Sequence, residues 1–255
     1  MILEHKWLAD HLQDKNLLIV DARGFIPYLY AHIPNSVPLG IEKVIKIADN
    51  GANEVLDAKD AEQLFGSLGI DDNKKVVVYG ESLDPSAARI LWTLLYYGYK
   101  DANMLDIGFM AWQKLGLPVT RQQVNPVSAK FTASANLLIQ ANAELITQKT
   151  NDTNLIILDN RSFQEYMQGK IPKAASLPWT DCIGEKDEIF RSKEELQNLF
   201  ADNGISNDKE VICYCSSGGR ASHAFIALKI AGLQNVRLYD GSIIDWAGRR
   251  LPIEC

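Results

Sequence analysis

The chain repeats itself along its length, and this internal repeat constrains its fold more than any other feature of the sequence. Asp21-Ala22-Arg23 recurs as Asp159-Asn160-Arg161 after 138 residues. Further matches follow in the same order at similar offsets: Ile33-Pro34 with Ile171-Pro172, "VVVY" at 76–79 with "VICY" at 211–214, Trp112 with Trp246, and Leu117-Pro118 with Leu251-Pro252. Such a series indicates one structural unit built twice.

The repeat predicts one domain at residues 1–120 and a second at residues 131–255. Each copy has an ordinary size for a single domain. Residues 121–130 between them are mostly polar and include Pro126, so we expect a linker there.

Each copy alternates short apolar runs with amphipathic segments. "NLLIVDAR" and "NLIILDNR" stay apolar up to a polar cluster, as buried parallel strands do. "DAKDAEQLFGSLGI" and "RSKEELQNLFADNGI" carry apolar residues at helical spacing and end near Gly69 and Gly204, which suit left-handed helix ends. The sequence therefore predicts an α/β fold of two tandem domains, each a mostly parallel sheet flanked by helices.

Charge and apolar patterning argue against several classes of function. The net charge of −6 and the isoelectric point near 5.3 give no electrostatic reason to expect nucleic acid or an anionic membrane as a partner. No apolar run approaches the roughly 18 residues of a membrane span, and the N-terminal residues lack the apolar core of a signal peptide. The four cysteines are too few for a disulfide framework, so we expect a cytoplasmic protein with reduced thiols.

The segment "VICYCSSGGRASHAF" at residues 211–225 carries the strongest chemical signal. An apolar strand ends at Cys215, and Gly218 and Gly219 are free to turn the chain into a helix. Such a turn can point several backbone N–H groups inward at a helix N-terminus, where they and Arg220 would stabilise a thiolate and bind an anionic substrate. We therefore expect Cys215 to be a nucleophile rather than a packed strand-end thiol.

Two other interpretations of this segment are weaker. A metal site at Cys213 and Cys215 would have only two thiols and no further ligand pair elsewhere in the sequence, and strand alternation assigns Cys213 to the core. A cysteine phosphatase needs a longer loop to wrap a phosphate, whereas only four residues separate Cys215 from Arg220.

The first copy has no cysteine at the equivalent position. Its run after Tyr79 reads "GESLDPSAAR", where Glu81 and Asp84 would oppose an anion. We therefore expect the first domain to be catalytically inactive.

These residues together resemble the tandem-domain rhodanese-like sulfurtransferases, which include the thiosulfate and 3-mercaptopyruvate sulfurtransferases. The resemblance covers nearly the whole chain and rests on "DAR…HIPNSVPL", "DNRSFQEYMQGKIPKAASLPW", "YCSSGGRASH" and "YDGSIIDWAGRRLPI". In that family the first domain is inactive and the second carries the cysteine. The sequence departs from the family pattern at Lys170, which is usually His, and at Lys173 and Ala31, which are often Gly.

The resemblance implies a ping-pong reaction through a persulfide on Cys215, without cofactor or metal. The thiolate takes the outer sulfur of thiosulfate, sulfite leaves, and the persulfide passes its sulfur to cyanide or another thiophile. The expected partners are a small anionic sulfur donor and a thiophilic acceptor, either cyanide, a thiol or a thioredoxin-like protein. Arg220 favours thiosulfate because it adds charge suited to a dianion, while 3-mercaptopyruvate as the donor and a persulfide carrier without turnover are the alternatives.

The resemblance also implies roles for individual residues. Cys215 and Arg220 are the expected catalytic residues, and substrate binding is expected at Ser216, Ser217, Gly218, Gly219 and Arg161. For Arg161 a structural ion pair at the strand end is an equal alternative, since the inactive copy keeps Arg23 at the same place.

Two histidines and two cysteines are weaker candidates. His223 is expected to buttress the loop. His32 matches a histidine that can approach the active-site serine, although a local turn role is the commoner one. Cys182 and Cys255 have no activating neighbour in the sequence, so we expect both to be exposed spectators.

Overall fold

The computed structural model of the chain describes residues 1–185 and 187–255. Contacts divide these residues into two compact units. The first unit comprises Met1–Ile45, Leu56–Asn136 and Gly184–Ile189, and the second comprises Lys46–Val55, Leu137–Ile183 and Phe190–Cys255. Each half of the sequence therefore contributes a short segment to the unit that the other half builds.

Strands and helices alternate through both halves, as the apolar pattern predicts. The first half contains β1 (Ile2–Leu3), α1 (His5–Asp10), β2 (Leu17–Asp21), α2 (Phe25–Tyr30), β3 (Ser36–Pro38), β4 (Ile45–Ile47), β5 (Asn53–Val55), α3 (Ala58–Ser67), β6 (Lys75–Tyr79), α4 (Ser86–Tyr96), β7 (Ala102–Leu105) and α5 (Phe109–Lys114). The second half contains β8 (Gln140–Ala141), α6 (Ala143–Lys149), β9 (Leu155–Asp159), α7 (Phe163–Gln168), β10 (Ala175–Ser176), α8 (Lys193–Asp202), β11 (Glu210–Tyr214), α9 (Gly219–Ala231), β12 (Val236–Tyr239) and α10 (Ser242–Gly248).

The two large sheets have equivalent topology. Each has five strands, in the order β1-β7-β6-β2-β3 in the first unit and β10-β9-β11-β12-β8 in the second. Every pair in both sheets is parallel, which confirms the expected α/β fold. Because β11 lies in the middle of its sheet, its carboxyl end places Cys215 where parallel sheets form ligand sites.

Left-handed backbone occurs at the positions where the sequence predicts helix ends. Gly69 after α3 has φ +83° and Gly204 after α8 has φ +72°. Lys173, which departs from the family's glycine, also has φ +65°, and Asn35 at the equivalent place in the first copy has φ +63°. The family's preference for glycine there therefore has a conformational reason, since side chains with a Cβ seldom adopt this region.

The expected linker at residues 121–130 belongs to the first unit instead. The N–H of Ala129 donates to the carbonyl of Gly66 in α3 at 2.9 Å, and the buried ring of Phe131 lies 5.0 Å from that of Phe65. These contacts hold the segment in the first unit, as part of its continuous stretch Leu56–Asn136. The predicted boundary at residue 131 differs from this contact-based division because a segment without regular structure has no periodic apolar pattern, and the boundary stays a prediction.

Residues 46–55 show a larger difference from the sequence-based division. They include strand β5 and all of strand β4 except Ile45, and they lie in the first sequence copy but belong to the second unit. Asn50 Nδ2 donates to Asp245 Oδ1 in α10 at 2.7 Å, and the N–H of Val55 donates to the carboxylate of Asp240. The sequence predicts no such exchange, because polar contacts between distant residues leave no periodic signal.

No helix in the described parts of the chain is long and apolar enough to cross a membrane.

Candidate active site

Cys215 directly follows β11 and is almost completely buried, with 1% of its surface exposed. The chain turns from this strand end into α9 over three residues, and Gly218 has φ +87°, in the left-handed region that glycine permits. The turn brings the N–H of Gly218 to 3.2 Å from Sγ of Cys215. A backbone donor thus points at the sulfur.

The loop also leaves several other backbone donors unused. Within the part of the chain that the structure describes, the N–H groups of Ser216, Ser217, Gly219 and Arg220 donate to no protein acceptor. They lie at the N-terminus of α9, where the helix dipole favours an anion. The arrangement is therefore suited to hold an anionic group beside Cys215.

Ser242 is a further contact of the strand end. Its Oγ accepts a hydrogen bond from the N–H of Cys215 at 3.1 Å and donates to the carbonyl of Tyr239 at 2.9 Å. Oγ also lies 4.0 Å from Sγ of Cys215. Ser242 is fully buried and has φ +55°, an unusual backbone conformation for serine. The equivalent position in the first copy is Gly108, so this contact is confined to the second unit.

Arg220 forms a bidentate ion pair with Glu165 of α7. Nη1 lies 2.7 Å from Oε2 and Nη2 lies 2.8 Å from Oε1. Nη2 also donates to Oγ of Ser216 at 2.6 Å. Paired hydrogen bonds of this kind fix the plane of the guanidinium as well as its position. The loop is consequently hydrogen-bonded to α7 through Ser216 and Arg220, the first and the last of its residues after Cys215.

The ion pair keeps both partners charged. Hydrogen bonds from Arg220, together with those from Ser162, hold the pKa of Glu165 far below its usual range despite partial burial. The pKa of Arg220 is raised, first by its hydrogen bonds to Glu165 and further by the neighbouring Cys215 sulfur. Glu165 therefore offsets the charge of Arg220, on which the expected preference for thiosulfate rests, and the identity of the donor stays a prediction.

Ser217 is held through its backbone. Its carbonyl accepts a hydrogen bond from Asn53 Nδ2 at 3.3 Å, and its side chain remains partly exposed. Asn53 begins β5, so residues 46–55 reach the active-site loop itself.

Arg161 pairs with the carboxylate at its own strand end. Its Nε lies 3.0 Å from Asp159 Oδ1, and its Nη2 lies 2.6 Å from Asp159 Oδ2 and 2.7 Å from the carbonyl of Gly169. Only 6% of Arg161 is exposed. Arg23 and Asp21 form the same pair in the first unit, at 2.6 Å. The structural ion pair accounts for these contacts, and a role of Arg161 in substrate binding stays a prediction.

His223 is buried among aromatic rings. Its ring stacks on Phe190 with centroids 4.2 Å apart and meets the edge of Trp179 at 5.0 Å. His223 lies in the first turns of α9, and the supporting role expected for it stays a prediction.

His32 is fully buried in the first unit. Its Nδ1 lies 2.7 Å from the carbonyl of Tyr28 and its Nε2 lies 3.1 Å from the carbonyl of Gln122. The ring also stacks on that of Tyr28, with centroids 3.7 Å apart. These contacts agree with a local turn role, and an approach of His32 to the active-site serine stays a prediction.

The burial of the remaining cysteines is as expected except at Cys182. Cys255 is exposed and Cys213 is buried, as the sequence predicts. Cys182 is buried as well, so the expectation that it is exposed is wrong. It lies in the turn Trp179–Cys182, and burial raises the pKa of its thiol to about 12. A thiol with so high a pKa is a poor nucleophile near neutral pH.

Three residues of the site escape the sequence-based prediction: Glu165, Ser242 and Asn53. Glu165 stands three residues after Ser162, and this Ser-x-x-Glu spacing is a visible sign of a capping box. The second partner of Glu165, Arg220, is 55 residues away and leaves no local signal. Ser242 and Asn53 carry no local signal of their contacts either, since both reach the loop only through the fold.

Comparison with known proteins identifies the family of the chain. Residues 4–115 and 142–249 match the rhodanese-like domain. The 3-mercaptopyruvate sulfurtransferase of Escherichia coli is 28% identical over 97% of this chain and 95% of its own length. A provisionally named thiosulfate sulfurtransferase of Haloferax volcanii is 30% identical over 96% of this chain and 93% of its own length. The sulfur carrier protein TtuD of Thermus thermophilus is 26% identical over 96% and 93%.

A solved structure of a relative has a similar fold. The crystal structure of SseA from Escherichia coli, a 3-mercaptopyruvate sulfotransferase with the rhodanese fold, superposes with a TM-score of 0.84 at 27% identity. It covers 94% of this chain and 98% of its own. The fold and the loop after β11 thus define a tandem rhodanese-like protein. The chain belongs to the rhodanese-like family, and it is a sulfurtransferase.

Proposed function

We propose that the protein moves sulfane sulfur from thiosulfate to a thiophilic acceptor through a persulfide on Cys215. The thiolate attacks the outer sulfur of thiosulfate and forms a new S–S bond, while the bond to the sulfonate sulfur breaks and sulfite leaves with the electron pair. Cyanide or a thiolate then attacks the outer sulfur of the persulfide and releases the Cys215 thiolate. The observation that carries the proposal is the Gly218 N–H at 3.2 Å from Sγ, beside a helix N-terminus with unused donors.

The loop residues have distinct roles in this reaction. The amides of residues 216–220 bind the sulfonate and then the charge on the persulfide, because they are fixed before the substrate arrives. Ser242 holds the backbone of Cys215, so the sulfur keeps its position through both half-reactions. Arg220 fixes the position of the loop through its hydrogen bonds to Ser216 and Glu165. We place the reaction in a reducing compartment such as the cytoplasm, where the thiol of Cys215 stays free.

The donor 3-mercaptopyruvate is the second candidate, supported by the Glu165–Arg220 pair. Its carboxylate carries a single charge, so a site whose arginine is offset by a carboxylate opposes it less than a dianion. The relative in Escherichia coli is named for this donor. The carrier function is the third candidate, supported by the name of the relative in Thermus thermophilus.

One set of assays tests the proposal. We expect steady formation of thiocyanate from thiosulfate and cyanide, with a larger kcat/KM than for 3-mercaptopyruvate. Cys215→Ser abolishes turnover because no other group replaces the thiolate, whereas Cys255→Ser, at the exposed cysteine, leaves it unchanged. Faster turnover with 3-mercaptopyruvate would assign the second candidate. A persulfide that forms once on Cys215 without multiple turnover would assign the carrier.

A further inference from the structure

Glu165 joins the cap of α7 to the active-site loop. Its Oε2 accepts hydrogen bonds from the N–H of Ser162 at 3.1 Å and from Oγ of Ser162 at 2.8 Å. The same carboxylate accepts both Nη groups of Arg220, and its Oε1 accepts Oγ of Ser216 at 3.2 Å. The ordinary capping box thus becomes a support for a catalytic loop. Five donors converge on one carboxylate, so its position and its charge are both fixed.

The charge of this carboxylate affects the electrostatic energy with which the site binds an anionic sulfur donor. With Cys215 as the thiolate, the positive charge of Arg220 and the negative charge of Glu165 cancel, and the site carries one net negative charge. Without the carboxylate, Arg220 would balance the thiolate and the net charge would be zero. The energy of an approaching anion scales with its own charge, so the difference is twice as large for a dianion as for a monoanion.

We propose that Glu165 determines donor specificity: it offsets Arg220 and thereby lowers the preference of the site for a dianion relative to a monoanion. This inference rests on the proposed persulfide chemistry at Cys215. Glu165 acts through Arg220 and the loop, so it is a positioning residue that sets the charge of the site. In the first copy the equivalent position is Pro27, so this feature belongs to the catalytic unit.

The chain contains a matched control for the cap itself. Helix α8 begins with the same capping box, in which Ser192 Oγ donates to Glu195 Oε2 at 2.6 Å and the N–H of Ser192 donates at 2.9 Å. Within the described residues, every hydrogen bond of the Glu195 carboxylate comes from Ser192. Glu195→Gln therefore weakens a capping box without changing the charge of the active site.

The experiment compares Glu165→Gln with the wild type and with Glu195→Gln. We measure kcat/KM for thiosulfate and for 3-mercaptopyruvate, each with cyanide as acceptor. Glu165→Gln keeps the shape and one acceptor oxygen but removes the charge, so the ratio of the two constants shifts toward thiosulfate by about threefold, the size of a partly exposed charge effect. Glu195→Gln and the charge-conserving Glu165→Asp keep the wild-type ratio.

A purely structural role of Glu165 gives a different result. Glu165→Gln would then lower both constants equally, or Glu165→Asp would change the ratio as much as Glu165→Gln, and either outcome overturns the inference. If Glu165→Gln does not fold, salt dependence of the wild type decides: kcat/KM for thiosulfate must rise more steeply with added sodium chloride than that for 3-mercaptopyruvate. A fall with salt overturns the inference.

Failure of the proposed function is distinguishable from failure of this inference. Intact mass measurement of the wild type after each donor shows whether Cys215 gains a sulfur atom. If neither donor loads Cys215, the proposed function fails. If Cys215 is loaded but the donor ratio does not depend on Glu165, only the specificity role fails.

Discussion

At the scale of single residues, the same Asp-x-Arg pair occurs in the unit that carries Cys215 and in the unit that lacks an equivalent cysteine. In the second unit Tyr214 OH donates to Asp159 at 2.5 Å, and Arg161 completes the pair. The first unit has the identical arrangement around Asp21. The pair also occurs in the unit that has no equivalent cysteine, so its first role is to stabilise the fold. A buried carboxylate needs such a partner.

Arg161→Ala and Arg23→Ala are therefore expected to lower the free energy of unfolding by similar amounts. Removing one member of a buried pair leaves the other charge buried without a partner, which costs about 3–5 kcal/mol. Urea unfolding of both variants measures the loss. If Arg161 also binds the donor, Arg161→Ala raises KM under conditions where both variants are folded, while Arg23→Ala does not.

At the scale of secondary structure, the site depends on how α7, α9 and the strand pair β4–β5 meet the end of β11. Residues 46–55 bring Asn53 to the carbonyl of Ser217 and Asn50 to Asp245 of α10. This segment comes from the sequence copy that lacks the cysteine. The first copy thus contributes to the unit that carries Cys215, although it has no equivalent cysteine itself.

Asn53→Asp is expected to loosen the active-site loop. The carboxylate is similar in shape but cannot donate to the carbonyl of Ser217, and loss of such a hydrogen bond costs about 1 kcal/mol. We expect kcat/KM to fall by about fivefold, with a smaller change in thermal stability than Arg161→Ala. Ile47→Ser, at a largely exposed residue of β4, is the control and leaves kcat/KM unchanged. Equal kinetics of Asn53→Asp and wild type would show that Asn53 does not position the loop.

At the scale of the whole molecule, several carboxylates are held ionised by the native structure. The pKa of Glu165 lies far below its usual range because of Arg220 and Ser162. Burial opposes ionisation of Glu210, but hydrogen bonds from Lys149 and Arg237 outweigh it and lower the pKa. In the unfolded chain these groups return to about 4.3, so the unfolded state binds more protons in acid.

Stability is therefore expected to decrease as the pH falls below about 4.5. The contribution of these carboxylates is fully present above the unfolded value and is lost as the pH passes through the lower folded values. Urea unfolding at pH 7, 5, 4 and 3 measures the slope. Glu210→Gln should show lower stability at pH 7 and a shallower slope. A stability that stays constant to pH 3 would contradict the assignment.

The sequence by itself determined the repeat, the α/β class, the position of Cys215 at a strand end and the absence of a cysteine at the equivalent position of the first copy. These features are local: apolar runs, helical spacing and the Cys215–Arg220 loop all lie within short segments. The sequence did not reveal that Arg220 pairs with Glu165 or that Ser242 hydrogen-bonds to the backbone of Cys215. It also did not reveal that residues 46–55 belong to the second unit. Only the tertiary structure decided these contacts, because they join residues 27 to 195 positions apart. Over such separations the contact depends on the packing of whole elements, and no local pattern records which polar groups that packing brings together.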